Sequence, residues 1–325
     1  MDKFNLIKKA FKVEPTERVP YAIWKHFPEF DKSPEGLLKA QMEFQNKFDS
    51  DIMKISISGR AFASDFGAEL GGYDPDSGSR ICLKHPIEKL EDWKNVKQID
   101  VRNGEFGNQI KAMKLINREV EGKVPTMMTV FSPFMVASQL DKDIILHYRR
   151  DPELVGEQFK ILVSAMTEFT KASLDAGADG IFLATQHFNN NLNDKERLAL
   201  EFNPMKSLIT KTIKKDNFVV LHLHGDLPDF DLATKLPVDA INWHDQQTEP
   251  NLSEARKIFN GGLLGGLNAE SWKDLSNPED VSSLISSVYK SFRGNGLIIA
   301  PGCVIPQYVS NTIIETVVKT IRNLK

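Results

Sequence analysis

Cysteine is nearly absent from this chain: 325 residues carry two, Cys82 and Cys303. Two thiols cannot build a disulfide framework, and such sparing use predicts a reducing, cytoplasmic setting. Net charge is equally scarce, since 41 Lys and Arg against 44 Asp and Glu leave −3. That gives no electrostatic case for nucleic acid or an anionic membrane as partner. No apolar run reaches the roughly 18 residues that a membrane span needs. The opening MDKFNLIKKAFK is amphipathic and charged, without the apolar core of a signal peptide. Low-complexity linkers, charge blocks and short repeats are missing. So is a Gly-rich phosphate turn after the first β-rich run, where Lys25-His26-Phe27-Pro28 stands, which argues against a doubly wound sheet.

What the chain does have is alternation. Apolar, β-rich runs at Val19–Phe27, Asp51–Ser58, Pro125–Pro133, Gly180–Ala184, Phe218–His224, Asp239–Asp245, Leu263–Leu267 and Leu297–Ala300 predict eight strands. Helical patterns lie between them: Gly36–Phe48, Glu105–Gly122, Pro152–Ala176, Asp194–Lys215, Leu227–Lys235, Leu252–Phe259, Pro278–Phe292 and Pro306–Asn323. Ser276 or Asn277 is placed to cap the helix that begins at Pro278. Eight strands alternating with helices predict an α/β fold, a parallel (β/α)₈ TIM barrel formed by one domain, residues 1–325. The runs are nearly continuous in apolar character, as strands buried on both faces should be. The long excursion Gly59–Asp100 reads as a βα-loop insertion over the barrel mouth.

Barrel enzymes carry their reacting groups at the carboxyl ends of the strands. In Phe218–Asp226, FVVLHLHGD, His222 and His224 stand at i and i+2, so a strand aims both imidazoles at one face. Two imidazoles supply half of a tetrahedral zinc shell; core histidines bonded to carbonyls are the alternative. Strand one ends in Trp24-Lys25-His26, strand six in Asn242-Trp243-His244-Asp245 and strand eight in Ala300-Pro301-Gly302-Cys303. With His222, His224 and Cys303 as metal ligands, one position stays open for water, a substrate thiol or a carboxylate such as Asp226 or Asp245. Consecutive strand residues face opposite ways, so either His244 points into the barrel or Asp245 does. Asp245, Asp226 and His244 are the catalytic candidates. Lys25 and His26 are candidates for an anionic substrate, and Asn189 heads a polar loop that can hydrogen-bond a ligand. Cys82, with only His85 as a ligand-type neighbour, is expected to be structural.

These residues resemble the uroporphyrinogen decarboxylase superfamily nearly end to end. Arg18-Val19-Pro20 and Pro28-Glu29-Phe30 echo its opening phrase, and Ala176-Gly177-Ala178-Asp179-Gly180 its strand entry. Gly265-Gly266-Leu267-Asn268 and Leu297-Ile298-Ile299-Ala300-Pro301-Gly302-Cys303 are similar to its late strands. The resemblance implies a (β/α)₈ barrel with one of two chemistries. The decarboxylase chemistry implies an aspartate and carboxylate-binding arginines, and here Ile23-Trp24-Lys25-His26 replaces the arginine segment. The other branch, the corrinoid-dependent methyltransferases including those that methylate coenzyme M, implies zinc held by His-x-Cys and a distant Cys. His222-Leu223-His224 and Cys303 stand in those places, with one cysteine replaced by histidine. The expectation is therefore a zinc enzyme that moves a methyl group between a corrinoid on a separate protein and a small acceptor. A divergent decarboxylase of a tetrapyrrole and a non-catalytic tetrapyrrole- or metal-binding protein are the alternatives. Homodimers are common in the superfamily.

Overall fold

The structure is a computed structural model, and it describes residues 2–274, 278–292 and 295–324. The cap expected at Ser276 or Asn277 lies outside the described residues. Seven parallel strands form one curled sheet: β1 (Met53–Ile55), β4 (Thr126–Phe131), β5 (Gly180–Thr185), β6 (Phe218–Leu223), β7 (Ala240–Trp243), β8 (Gly262–Leu267) and β9 (Leu297–Pro301), hydrogen-bonded in that order. A hairpin of β2 (Glu69–Tyr73) and β3 (Arg80–Lys84) stands apart from it. In β4, β5 and β8 every residue is buried, which is why these runs lack polar alternation. The result is TIM-barrel-like but not a fully closed ladder.

The departure lies at the first predicted strand. Val19–Phe27 runs between β9 and the start of β1, yet it makes a single ladder bridge, Tyr21 with Ile299. Pro20 has no N–H to give, although its carbonyl accepts from Ile299 N at 2.9 Å. On the opposite edge one backbone bond remains, Asp51 N to Tyr21 O at 2.9 Å, and side chains supply the rest. Asp51 Oδ2 accepts from Tyr21 N at 3.0 Å and Ser50 Oγ from Ile23 N at 3.1 Å. Arg18 forks onto Asp51 with bonds of 2.7 and 2.6 Å, which balances the buried carboxylate. The seam is held by a few backbone bonds and these specific side chains rather than by a repeated ladder, and the sheet stays TIM-barrel-like without full closure.

Helices cover the outside and begin where short polar residues can cap them. Ser33 accepts from Gly36 N before Pro34–Phe48, Asp151 from Leu154 N before Pro152–Asp175, and Asn251 forms a capping box with Glu254. The expected helix Asp194–Lys215 is three pieces: Asp194–Arg197, a wide π turn Leu198–Phe202, and Asn203–Thr212. Pro204 supplies no donor to the turn before it, and the register is adjusted there. Leu227–Lys235 shortens to Phe230–Ala233 behind Pro228, and the last helix starts at Asn311, capped by Ser310, rather than at Pro306. The helices Pro133–Leu140 and Ile144–Arg150 follow β4, where no helix was expected. The excursion 59–100 holds a short helix, Ala61–Asp65, and the hairpin, in which Cys82 pairs with Leu70. Among the described residues no helix is long and apolar enough to cross a membrane.

Candidate metal centre

The carboxyl ends of β6, β7 and β9 bring four side chains to one point. Donor atoms of His222, His224, His244 and Cys303 all lie within 4.8 Å of one another. His222 is the penultimate residue of β6, and His224 follows the strand just before Gly225, whose φ of 93° makes the turn. His244 directly follows β7. Cys303 reaches the group because Gly302 lies against the end of β7. A Cβ built on Gly302 would stand 2.9 Å from Trp243 O and 3.0 Å from His244 Cα, so any side chain there would push β9 away.

The hydrogen bonds fix the tautomers. Asn242 donates through Nδ2 to Leu264 O at 3.0 Å and to Pro301 O at 3.1 Å, so its Oδ1 is the acceptor. His222 Nδ1–H donates to that oxygen at 2.6 Å, which leaves the Nε2 lone pair bare. The same logic holds at β7. Gln247 Nε2 donates to Glu270 at 2.8 Å, so Gln247 Oε1 accepts from His244 Nδ1 at 3.0 Å. His244 Nε2 then faces His224 Nδ1 at 3.3 Å, and Cys303 Sγ lies 3.5 Å from that same nitrogen. Three imidazoles and a thiol converge on one point, where their lone pairs could be shared by a single ion. A cation resolves that arrangement, and the donor set of nitrogen and sulfur suits zinc.

Burial favours the neutral form of His222 and His224, the form that metal ligation requires. It holds His222 well below the usual imidazole range, helped by its two histidine neighbours, and it lowers His224. For His244 burial pulls the same way, but the hydrogen bond and charge of Cys303 override it and the pKa is raised.

The cluster opens into a cavity of about 1070 Å³ lined by Trp24, His26, Lys54, Phe182, His187 and Glu270 among others. Of the residues expected from the sequence, His26 lines it, with burial pushing its pKa down to about 3 and its Nδ1 without a partner. Lys25 is half-buried and does not line the cavity. Asn189 turns into its own loop, where its carbonyl accepts from Arg197 at 2.6 Å and its side chain from Asn191 N; Gln186 and His187 of that loop line the cavity instead. Asp226 is exposed just past His224 and, with Glu270, offsets part of the burial effect on that imidazole. Asp245 takes the opposite face from His244, as strand alternation demands. Both its oxygens accept from Gly266 N at 3.0 Å, and burial pushes its pKa up to about 6. The expected catalytic place for Asp245 is thus corrected to a post under β8.

Three participants carry no motif. Asn242 and Gln247 set the tautomers, and Lys54 stands in the cavity wall, where burial lowers its pKa to about 8. A lysine between Met53 and Ile55, in a run otherwise buried on both faces, was the available signal.

A curled parallel sheet with a His₃Cys cluster at its carboxyl end defines a TIM-barrel-like protein with a built metal-type site. Residues 4–324 match the family model "Uroporphyrinogen decarboxylase (URO-D)", and the chain belongs to that family. A curated relative, the methylcobamide:CoM methyltransferase MtbA of Methanosarcina mazei, is 20% identical over 333 residues, covering 98% of this chain and 96% of its own. Among solved structures, a methyltransferase from Methanosarcina mazei superposes with a TM-score of 0.81 at 16% identity, over 99% of this chain and 98% of that one. A B12-independent methionine synthase from Shewanella sp. W3-18-1 gives a TM-score of 0.61 at 12% identity over 94% of each chain. These structural likenesses concern the fold. The family and the curated relative are enzymes.

Proposed function

We infer that the chain is a zinc-dependent methyltransferase of this family, passing a methyl group between a corrinoid carried by a separate protein and a small acceptor. The observation that carries this reading is the convergence of bare imidazole lone pairs and a thiol, with Asn242 and Gln247 holding the opposite ring nitrogens. His222, His224 and Cys303 are the ligands, and His244 is within reach as a fourth donor. When bound, zinc supplies Lewis acidity that lowers the pKa of an acceptor group. The protein's part is orientation and exclusion of water. Asn242 keeps His222 in one tautomer and one ring plane, and the Trp24–Phe182 pair, 5.5 Å apart, walls the cavity beside it. The negative charges of Glu270 and Asp226 act on His224 against the effect of its burial. Methyl transfer is favoured over tetrapyrrole decarboxylation because Ile23-Trp24-Lys25-His26 replaces the arginine segment that the decarboxylase resemblance implies; the arginines that do line the cavity, Arg60 and Arg149, lie elsewhere in the chain.

Elemental analysis of untagged protein beside a Cys303→Ala variant tests the site. About one zinc per chain, lost in the variant, is expected, followed by demethylation of methylcobalamin on adding a thiol or another small acceptor. Wild-type protein that takes up no zinc when supplied with it would remove this reading.

A further inference from the structure

The cavity wall holds a buried charge that metal binding does not use. Lys54, in the middle of β1, is 4% exposed. Its Nζ makes no ion pair and no hydrogen bond among the described residues. What it does meet is the face of Phe182, at 4.8 Å from the ring centroid. That ring stacks in turn on His222 at 5.2 Å, so one aromatic ring separates the ammonium from the nearest metal-ligand imidazole. The other cations of the lining each have a partner in the protein: Arg149 forks onto Glu196, Lys142 stands 4.0 Å from Asp143, and Arg60 donates to Arg80 O at 2.9 Å.

A buried ammonium costs several kcal/mol unless something compensates it. A ring face offsets only part of that cost. Cys303 is the one group whose charge favours the protonated amine. Once its sulfur is committed to a metal, that compensation is shared with the ion. The remaining partner must come from solution, through the cavity.

We propose that Lys54 pairs with an oxyanion, a carboxylate or its equivalent, on the small molecule that occupies the cavity, and so selects an anionic substrate and fixes which end faces the cluster. The proposal rests on reading this cavity as the reaction site. It moves the anion-binding role from Lys25, which does not line the cavity, to a residue that does. A short molecule spans the distance, with its apolar middle against Phe182. The ammonium is a compact point charge that discriminates by sign of charge rather than by the planar shape an arginine would impose.

Calorimetric titration of 3-mercaptopropanoate and its neutral amide tests this on zinc-supplied wild-type, Lys54→Met and Cys303→Ala proteins. Wild type should bind the acid at least about tenfold more tightly than the amide, the loss expected for one charge-assisted contact. Lys54→Met should bring that ratio close to one while zinc content stays unchanged. In Cys303→Ala both molecules should weaken and the ratio should persist, because the anion preference does not pass through the metal. A wild-type ratio near one, or a ratio that survives Lys54→Met, overturns the proposal. Failure of the metal reading shows separately, as absence of zinc from the wild type with the acid-to-amide ratio intact. Should Lys54→Met not fold, Lys54→Gln carries the same comparison.

Discussion

Two clusters of buried polar side chains sit in this protein, and they are built on opposite plans. On the flank, Asp141 accepts from Trp93 Nε1 and from His147 Nδ1, each at 2.7 Å, and its other oxygen accepts from Asp143 N at 2.9 Å. Every donor there meets an acceptor. At the ends of β6, β7 and β9 the outer ring nitrogens of His222 and His244 are tied down in the same careful way, but the inner donors of the group face each other and Cys303. The first cluster is finished by the protein alone and reads as structure; the second needs something positive at its centre and reads as a site. A third case lies between them. Glu201, fully buried in the π turn, accepts from Thr185 Oγ1 at 2.6 Å, while its Oε2 has no partner. Burial pushes its pKa up to about 7, so there the missing positive charge is a proton.

Removing a ligand should break the contrast most sharply. Zinc affinity of His224→Ala, followed by competition with a chelator, should fall on the order of several hundredfold, since one of four donors to a site worth ~10–16 kcal/mol is lost. Unchanged affinity would mean the cluster is not the site. The complementary change, Asp141→Ala, strands two buried donors and should cost about 4 kcal/mol in urea unfolding while zinc content is untouched. Loss of metal in that variant would blur the two clusters into one.

Glu201→Gln sharpens the intermediate case through pH. The glutamine keeps the acceptor for Thr185 and cannot ionise. A carboxyl raised from 4.5 to about 7 favours the folded state fully at low pH and loses that advantage as pH rises through 7. The variant should therefore match wild type near pH 4 and gain on it toward pH 9, by up to roughly 3 kcal/mol. A pH-independent difference would place the proton elsewhere. Smaller effects belong to the outer partners. Asn242→Leu should weaken zinc about 10–100-fold by freeing the His222 tautomer. Gln247→Leu should weaken it only a few-fold, because Gln247 is tied to Glu270, a residue exposed to solvent, whereas Asn242 is buried between two strands.

Much of this was legible before any coordinates. Alternation placed the seven runs that form the sheet, and the i, i+2 rule aimed His222, in β6, and His224, just past it, at one cluster. That rule left His244 and Asp245 exchangeable, because period two gives relative facing and not absolute direction. Contact between Asp245 and Gly266 settled the choice. Lys54 stayed hidden for another reason: one lysine in a strand reads as a solvated edge, and only the curl of the sheet buries it. The seam at Val19–Phe27 had strand composition but not strand pairing, since the bonds that hold it come from Ser50 and Asp51, outside the run.

Gly302 sets a limit on how this site can vary. Its missing Cβ is the clearance that lets the end of β9 touch Trp243 and His244, so the distance from position 303 to the other ligands is fixed by backbone contact. Side-chain identity at 303 is then free to drift between donors of similar reach, and position 302 is not. A change of donor at 303 would leave that backbone contact in place, whereas any side chain at 302 would move the end of β9 away from β7 and carry position 303 with it.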